Sequence, residues 1–457
     1  MDSGILSWLF SGLLVVSASA QDTTRLRLLF AGDIMQHDSQ IKAAYDPLSA
    51  TYDYSSCFQY IQPLIQQADL AVANLELTLA GAPFKGYPQF SAPDELAVAL
   101  KDAGFDILVT ANNHSLDRRK AGLERTIATL DSLALLHTGT FRDSLERALH
   151  YPLLVKKNGF TLSLLNYTYG TNGIPVSKPN MVNFIDTLAI EQDMLKAKSQ
   201  EPDVIMVFMH WGNEYQSYPS AQQKRLARFC IDKGASLVIG SHPHVIQPME
   251  WSKNRNHLVA YSLGNLVSGQ QSRYRDGGAL LWVELERVAQ DTTTTTQIRD
   301  AGYELAWVYR DEGTPKKYYL LPAKEFESDT IRLATVKARQ NFRTFVDDSR
   351  QHLQSNVNIE EWQRPLLETH YYRVQLATQA DSAGVLPATP LLDFYGLERE
   401  ARNGMYDWVT GKFHDQALAV QAWQDIVAHT PYTGAQLVWY YWGQRQPVLP
   451  PGEDNAK

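Results

Sequence analysis

Five apolar runs, each ending in polar residues, constrain the fold of this chain more than any other feature of its sequence. The runs are RLRLLFAGDIMQH from Arg25, ADLAVANLE from Ala68, FDILVTANNH from Phe105, DVIMVFMHWG from Asp203 and ASLVIGSHPH from Ala235. Short runs rich in Val, Ile and Leu are typical of strands that are buried on both faces. Segments with helical spacing lie between most of them, and this alternation predicts an α/β layered fold with largely parallel strands.

The polar residues that end these runs are expected to lie close together. In open α/β sheets, ligands bind beyond the carboxyl ends of the strands, and we expect all five clusters to gather at one sheet edge. Imidazole and carboxylate groups together suit divalent ions such as Zn²⁺, Mn²⁺ or Fe. The sequence therefore predicts a metal site, for which the candidate residues are Asp33, His37, Glu76, Asn113, His114, His210, His242 and His244.

The most specific of these clusters is His242-Pro243-His244. Pro243 lacks an N–H group and disfavours the α conformation for His242, so the segment has to be extended or looped. In an ideal strand, residues i and i+2 point to the same side, which would let both imidazoles face one ligand. Each of the other clusters has a structural interpretation when taken alone; Asp33, for example, suits a turn after a strand. The metal hypothesis therefore depends on the five clusters together.

Composition and charge narrow the class of protein. The chain has 457 residues, of which 44% are hydrophobic and 20% are charged, as is ordinary for a globular protein. A net charge of −8 without a long Lys/Arg run argues against a nucleic-acid partner. Cys57 and Cys230 are the only cysteines; one bridge between them is allowed, but we expect two free thiols buried as small apolar residues.

The N-terminus has the pattern of a signal peptide. An apolar stretch from Ile5 to Val16 precedes Ala18-Ser19-Ala20, the small-x-small pattern of a signal-peptidase site. We predict that residues 1–20 are removed and that the protein is exported to the periplasm or cell envelope. The alternative is an uncleaved membrane anchor, for which the apolar stretch is short.

The remaining segments divide the chain into regions. HLVAYSLGN from His257 predicts a further strand that ends at Asn265, and the alternating segments that follow it predict an antiparallel sheet with a threonine-rich hairpin. Residues 331–354 and 359–384 have the spacing of long amphipathic helices. We therefore predict an α/β domain over 26–325, a helical C-terminal region over 326–449 and a disordered tail over 450–457.

The motifs GDIM, NLE, TANNH, HWG and GSHPH, with NYTYGTNG from Asn166 and SLGN from Ser262, occur in an order that resembles the CapA/PgsA family of poly-γ-glutamate capsule biosynthesis proteins. That family is similar to the calcineurin-like metallophosphoesterase superfamily. The resemblance covers about residues 26 to 320. It implies a metallophosphoesterase-like sandwich of sheets flanked by helices, here followed by the α-helical extension.

The resemblance also implies roles for the candidate residues around one or two divalent ions, Mn, Zn or Fe. His114 would be the general acid near the leaving group. His37 is an additional candidate, in place of the histidine that the superfamily has two residues after its first Asp, and Asn265 is another. The metal ligands would be Asp33 and His244 on the first ion, Glu76 in the bridging position, and Asn113, His210 and His242 on the second ion.

Two departures from the superfamily pattern leave alternatives open. Met35 stands two residues after Asp33, and Glu76 stands where an Asp is usual, so a mononuclear centre is an alternative to two ions.

The implied function is hydrolysis or transfer at a phosphoester or amide-like bond of an anionic polymer or another envelope substrate. The competing hypothesis is a non-catalytic component that binds the polymer, or aids its export, beside a membrane synthesis complex.

Overall fold

The computed structural model describes residues 22–290, 293–328, 333, 335–364, 370–379, 389–402, 405–413, 416–441 and 444–446. The predicted signal peptide (1–20) and the predicted tail (450–457) lie outside these residues. Among the described helices, none combines the length and the apolarity that crossing a bilayer requires.

The strands, in chain order, are β1 (Asp22–Ile34), β2 (Tyr45–Asp46), β3 (Thr51–Tyr52), β4 (Leu70–Leu75), β5 (Ile107–Val109), β6 (Leu136–Thr138), β7 (Thr140–Phe141), β8 (Leu153–Lys157), β9 (Phe160–Thr168), β10 (Met181–Val182), β11 (Val204–His210), β12 (Leu237–Ser241), β13 (Met249–Trp251), β14 (Leu258–Ala260), β15 (Asn265–Val267), β16 (Gly277–Gln290), β17 (Thr293–Asp311), β18 (Lys317–Pro322), β19 (Glu360–Glu361), β20 (His370–Gln379), β21 (Leu397–Arg402), β22 (Met405–Phe413), β23 (Gln436–Tyr441) and β24 (Gln444–Arg445).

The helices are α1 (Asp38–Ala44), α2 (Ser55–Phe58), α3 (Gln62–Ile65), α4 (Glu95–Ala103), α5 (Arg119–Ser132), α6 (Ser144–His150), α7 (Thr187–Lys198), α8 (Ala221–Asp232), α9 (Ala323–Ser328), α10 (Val336–Leu353), α11 (Pro390–Tyr395) and α12 (Gln416–His429).

Two sheets packed face to face form the centre of the α/β part. The first has the order β18-β17-β16-β1-β4-β5-β6, with β15 paired to β1 and β19 to β17, and the second has the order β13-β14-β12-β11-β9-β8. Phe30 of the first sheet and Phe208 of the second meet in the core between them, with ring centroids 5.9 Å apart. The described residues therefore confirm the layered α/β sandwich.

Helices cover the outer faces of both sheets. Leu96 and Leu100 of α4 belong to the core of the first sheet. Leu226 and Cys230 of α8 pack with alternate residues of β11, such as Val207, in a second core on the far side of the second sheet. Strands such as β11 are consequently buried on both faces, which explains why their sequences are continuous apolar runs rather than alternating ones.

All five apolar runs form the predicted strands, and they divide between the two sheets. β1, β4 and β5 are parallel neighbours in the first sheet, whereas β11 and β12 are parallel neighbours in the second. The expectation of a single sheet edge was therefore wrong, because apolar run length indicates that a strand is buried but carries no information on the sheet to which it belongs.

The predicted antiparallel segments and the free thiols are confirmed. β16, β17 and β18 pair antiparallel, and the part of the threonine run from Thr293 to Thr296 lies in β17. Cys57 and Cys230 are both free and buried, and they lie in different cores.

The helical prediction for the C-terminal region was correct only in part. Helix α10 forms as predicted, and its Phe342 and Phe345 side chains pack into the core of the first sheet. The segment that was predicted as the second long helix instead contains β20, and the aromatic run from Trp439 lies in strand β23. Its last aromatic residue, Trp442, lies outside the described residues.

The described C-terminal strands form one antiparallel sheet in the order β21-β22-β20-β23-β24. Tyr372, Val374 and Leu376 of β20 are buried, and this alternation has the period of a strand rather than of a helix. Val374 and Leu376 pack in a small core with Ile426 of α12. The helical prediction failed here because a half-buried strand and an amphipathic helix have similar overall composition, and only the period separates them.

A buried ion-pair network joins the segment after α10 to the α/β core. The guanidinium group of Arg364 binds the carboxylates of Glu304, in β17, and Glu325, in α9. The Arg364, Glu304 and Glu325 side chains are only 6%, 3% and 0% exposed. Removing the guanidinium would take this charge partner away from two buried carboxylates in a medium of low dielectric constant.

Replacing Arg364 by Met should lower the free energy of unfolding by about 3–5 kcal/mol, the usual cost of leaving a buried charge unpaired. Denaturant-induced unfolding followed by tryptophan fluorescence measures this change. The matched control is Arg228→Met, since the Arg228 side chain is 71% exposed and pairs with Asp232 on the surface; it should cost less than about 1 kcal/mol. Equal stability of the two variants would contradict the structural role of the network.

Candidate metal centre

The carboxyl ends of strands from both sheets converge on one buried polar cluster. The pairing of β1 with β4 sets Asp33 beside Asn74, and the pairing of β11 with β12 sets His210 beside Ser241. Asn74 donates a hydrogen bond to Asp33 Oδ1 at 2.8 Å and lies 3.3 Å from His210 Nδ1. The Asn74 side chain thus connects the first sheet to the second at the centre of the cluster.

Two glycines let neighbouring backbone pack closely beside the candidate ligands. A Cβ atom on Gly32 would lie 1.9 Å from the carbonyl oxygen of Gly264, and one on Gly240 would lie 1.9 Å from that of Tyr261. Such distances are far inside van der Waals contact, so any side chain at either position would push the strands apart. Each glycine comes one or two residues before a candidate ligand, Asp33 or His242.

Glu76 lies in the middle of the cluster. Its Oε1 atom is 3.5 Å from His210 Nε2 and 3.7 Å from His244 Nε2, and its side chain is fully buried. Neither carboxylate oxygen has a hydrogen-bond partner among the described residues. Burial, followed by the nearby charge of Asp33, raises the pKa of Glu76 well above its ordinary value. An ionised carboxylate at this position therefore requires a cation.

Two groups of side chains offer ligand atoms that lie within 4.8 Å of one another. One group is Glu76, His242 and His244, and the other is Asp33, Glu76 and His210. Glu76 belongs to both groups, but the rest of the grouping differs from the one that the resemblance implied, because His242 lies with His244 and His210 lies with Asp33. Mixed imidazole and carboxylate donors suit Mn²⁺, Zn²⁺ or Fe, and the unpartnered Glu76 oxygens provide an independent reason for a cation. The residues present thus fit the divalent metal.

His242 and His244 reach the centre from a loop rather than from a strand. Both have left-handed backbones, with φ values of 97° and 57°, and their rings are 5.9 Å apart. Burial lowers the pKa of His242 to about 4, and burial with the neighbouring imidazoles lowers the pKa of His210 well below its ordinary value. These two imidazoles are therefore neutral at pH 7, the form that ligates metals.

Hydrogen bonds hold the other nitrogens of two candidate ligands. His244 Nδ1 lies 3.1 Å from Asp33 Oδ2 and 3.2 Å from Asn265 Oδ1, and His210 Nδ1 lies 3.0 Å from Ser241 Oγ. Each contact orients its ring with Nε2 on the side of Glu76. Asn265 therefore lies at the site, whereas Ser241 was not among the sequence candidates although it directly precedes His242.

Asn113 and His114 occupy the edge of the cluster. Asn113 Oδ1 is 2.8 Å from His210 Nε2, close enough to join the second ligand group. His114 is outside both ligand groups; its Nδ1 atom is 2.7 Å from Asp117 Oδ2, and its ring packs 4.6 Å from that of Phe90. Asp117, which the sequence analysis did not select, orients this imidazole in the manner of a His–Asp pair.

The remaining candidate, His37, is held apart from both ligand groups. Its Nδ1 atom accepts a hydrogen bond from the backbone N–H of Gly269 at 3.1 Å, and its ring packs 5.5 Å from that of Phe90. The side chain two residues after Asp33, Met35, is only 2% exposed and has no nitrogen to offer as a ligand. His37 is therefore a neighbour of the centre.

Comparison with known proteins identifies the relatives of the chain. A family model described as "Bacterial capsule synthesis protein PGA_cap" matches residues 27–270. The chain is 29% identical over 268 residues to the PGA biosynthesis protein CapA of Bacillus subtilis, covering 56% of this chain and 67% of the relative. It is 28% identical over 281 residues to the capsule biosynthesis protein CapA of Bacillus anthracis, covering 58% of this chain and 65% of the relative. About a third of each relative thus lies outside the match.

Among solved structures, the chain is similar to the calcineurin-like phosphoesterase YfkN from Bacillus subtilis. The sequence identity is 15% and the TM-score is 0.38, over 62% of this chain and 91% of the other.

Replacing Glu76 by Gln should distinguish the effect of this buried carboxylate on folding stability from its role in binding metal. A raised pKa in the folded state means that the carboxyl group favours folding below its ordinary pKa of 4.5 and that this contribution is lost as pH rises through the higher folded pKa. Gln does not ionise, so the metal-free variant should have a higher Tm at pH 7 than the metal-free wild type. Added Mn²⁺ should raise the Tm of the wild type but not that of the variant.

Thermal unfolding with and without Mn²⁺ measures both effects. The control is Glu191→Gln, a surface carboxylate paired with Lys233, which should respond to metal as the wild type does. An equal Mn²⁺-dependent rise in Tm for Glu76→Gln would show that Glu76 is not a ligand.

Proposed function

The chain belongs to the bacterial capsule synthesis protein family PGA_cap, and on this premise we propose that it acts in the biosynthesis of poly-γ-glutamate or a related anionic polymer through a metal-dependent hydrolase or transferase centre. The reaction proposed is cleavage or transfer at a phosphoester or amide-like bond. The named relatives support the pathway, and the chemistry of the buried cluster supports the reaction.

One observation carries the proposal of a metal centre. Glu76 is common to two groups of candidate ligands, is fully buried and has no hydrogen-bond partner for either oxygen among the described residues. A purely structural carboxylate would normally be hydrogen-bonded or paired when buried. A site that keeps such a group beside neutral imidazoles is suited to holding divalent cations.

The protein's own side chains supply the remaining chemistry. When bound, divalent ions held by the two ligand groups would supply Lewis-acid polarisation of a substrate oxygen. His114, protonated at Nε2, would donate that proton to the departing oxygen or nitrogen as the bond breaks. Asp117 would accept the hydrogen bond from Nδ1–H of His114 and so stabilise the imidazolium before transfer. Burial of this pair against Phe90 limits the access of water to it.

A second candidate function is favoured by the residues that follow Asp33. Met35 stands where the superfamily pattern has a histidine, and His37 is bound to the backbone of Gly269 rather than directed to the ligands. With a weaker first metal position, the centre would bind the carboxylates of the polymer without cleaving it. In that case the protein would be a binding or export component beside a membrane synthesis complex.

An exported location is part of the proposal in both cases. It rests on the apolar stretch from Ile5 to Val16 and on the small residues before Gln21, which lie outside the described residues. Capsular polymers are assembled and retained at the cell surface, so a component that handles the polymer is expected at the envelope.

Two variants distinguish a metal ligand from the general acid. His242→Ala should lose both bound metal and turnover. His114→Ala should keep the metal but lose turnover about 100-fold or more, the usual contribution of a positioned proton donor. The measurements are elemental analysis and hydrolysis of bis(p-nitrophenyl) phosphate and γ-glutamyl p-nitroanilide, with His429→Ala on the surface of α12 as the matched control.

Each outcome assigns a role. Full metal content and turnover in His242→Ala would refute the metal-dependent reaction. Normal turnover in His114→Ala would exclude that residue as the acid. Binding of anionic polymer by a wild-type protein that cleaves neither substrate would favour the second candidate function.

A further inference from the structure

Two loops beside the metal centre, which we call its mouth, contain strained residues. Tyr215, in the loop after β11, has a φ of 65°, and Tyr274, in the loop between β15 and β16, has a φ of 76°. Left-handed backbones are uncommon for large residues and persist only where the surroundings enforce them, often at functional sites. Both tyrosines are about half exposed, so the strain does not serve to bury them.

Tyr215 is fixed directly to the histidine loop. Its backbone N–H donates a 2.8 Å hydrogen bond to the carbonyl oxygen of Pro243, between the two candidate ligands His242 and His244. Its ring centroid is 6.1 Å from that of His244. The Tyr215 residue is therefore held in place with its ring beside the metal centre.

The Arg275 side chain stacks on the Tyr215 ring. The centre of its guanidinium group is 4.4 Å from the centroid of the Tyr215 ring. Among the described residues Arg275, like the stacked Arg255, makes no ion pair with a carboxylate, whereas the stacked Arg147 and Arg273 do. The Arg275 guanidinium also lies beside the Tyr215 hydroxyl, which Glu214 approaches as well, and its five N–H donors leave others for a second partner.

The backbone that carries Arg275 is held from two directions. The Asn265 side chain, which touches His244, also donates a 2.9 Å hydrogen bond to the carbonyl oxygen of Arg275. Arg273, two residues earlier, binds Asp348 of α10 at 2.8 Å and Asp276 at 3.2 Å. The metal centre and the first C-terminal helix thus both fix the position of Arg275.

We propose that Arg275, stacked on Tyr215 at the mouth of the metal centre, binds a carboxylate group of the polymer next to the unit that occupies the centre. The proposal rests on the proposed function, since it names the substrate group that the same site selects. A planar guanidinium fork matches a carboxylate in a bidentate geometry. Neighbouring units of an anionic chain carry such groups at regular intervals, so one unit lies in the centre while the next meets Arg275.

The experiment is calorimetric titration of the Mn²⁺-loaded protein with a defined oligo-γ-glutamate. Arg275→Gln should raise the Kd about tenfold or more, as expected for the loss of a charge-assisted hydrogen bond, while its metal content and Tm stay those of the wild type. Arg275→Lys, which keeps the charge but not the fork, should lie between them. The matched control is Arg255→Gln, which removes an arginine stacked on Trp251 at 5.1 Å and should leave the Kd unchanged.

The outcomes separate this inference from the proposed function. If the wild type binds the oligomer and Arg275→Gln binds it equally well, the inference is overturned and the proposed function stands. If the wild type does not bind the oligomer, the proposed substrate class fails and the inference fails with it. A parallel titration with inorganic phosphate tests the source of the anion, because dependence on Arg275 for phosphate but not for the oligomer would overturn the assignment to a carboxylate.

Discussion

The buried carboxylate of Glu76 is the constraint on which the arrangement of the site depends. It lies between imidazoles that come from the second sheet, while Asp33 and Asn74 reach it from the first. An isolated charge at such a depth is costly, so the surrounding groups have to keep it protonated or hold a cation beside it. His210 and His242 beside it are neutral because they are buried in the same cluster.

Small residues and strained loops allow the backbone to pack closely around the candidate ligands. Glycines precede the candidate ligands on β1 and β12 where a Cβ atom would collide with neighbouring backbone. His242 and His244 adopt left-handed backbones so that both rings turn toward the same carboxylate. Local strain of this kind is tolerated because strands that are buried on both faces fix the loop ends. The site is thus a product of the sandwich core as much as of its own residues.

Helix α10 and the C-terminal sheet differ in how they relate to the α/β layers. Helix α10 adds Phe342 and Phe345 to the core of the first sheet and holds the mouth of the centre through Arg273. The five-stranded sheet beyond it has a separate small core. The match to the family model ends at residue 270, so the helix that braces the mouth lies outside the matched region.

The sequence by itself determined the five apolar strands and the candidate residues at their ends. Continuous apolar runs that end in Asp33, Glu76, Asn113, His210 or His242 specify buried strands whose polar ends meet, because side-chain burial is periodic and local. Only the tertiary structure decided that these strands belong to two sheets, that His37 is held apart, and that Asn74, Ser241 and Asp117 complete the hydrogen bonds. It also decided that β20 is a strand. Pairing between distant segments and the direction of a side chain depend on contacts that no local pattern encodes.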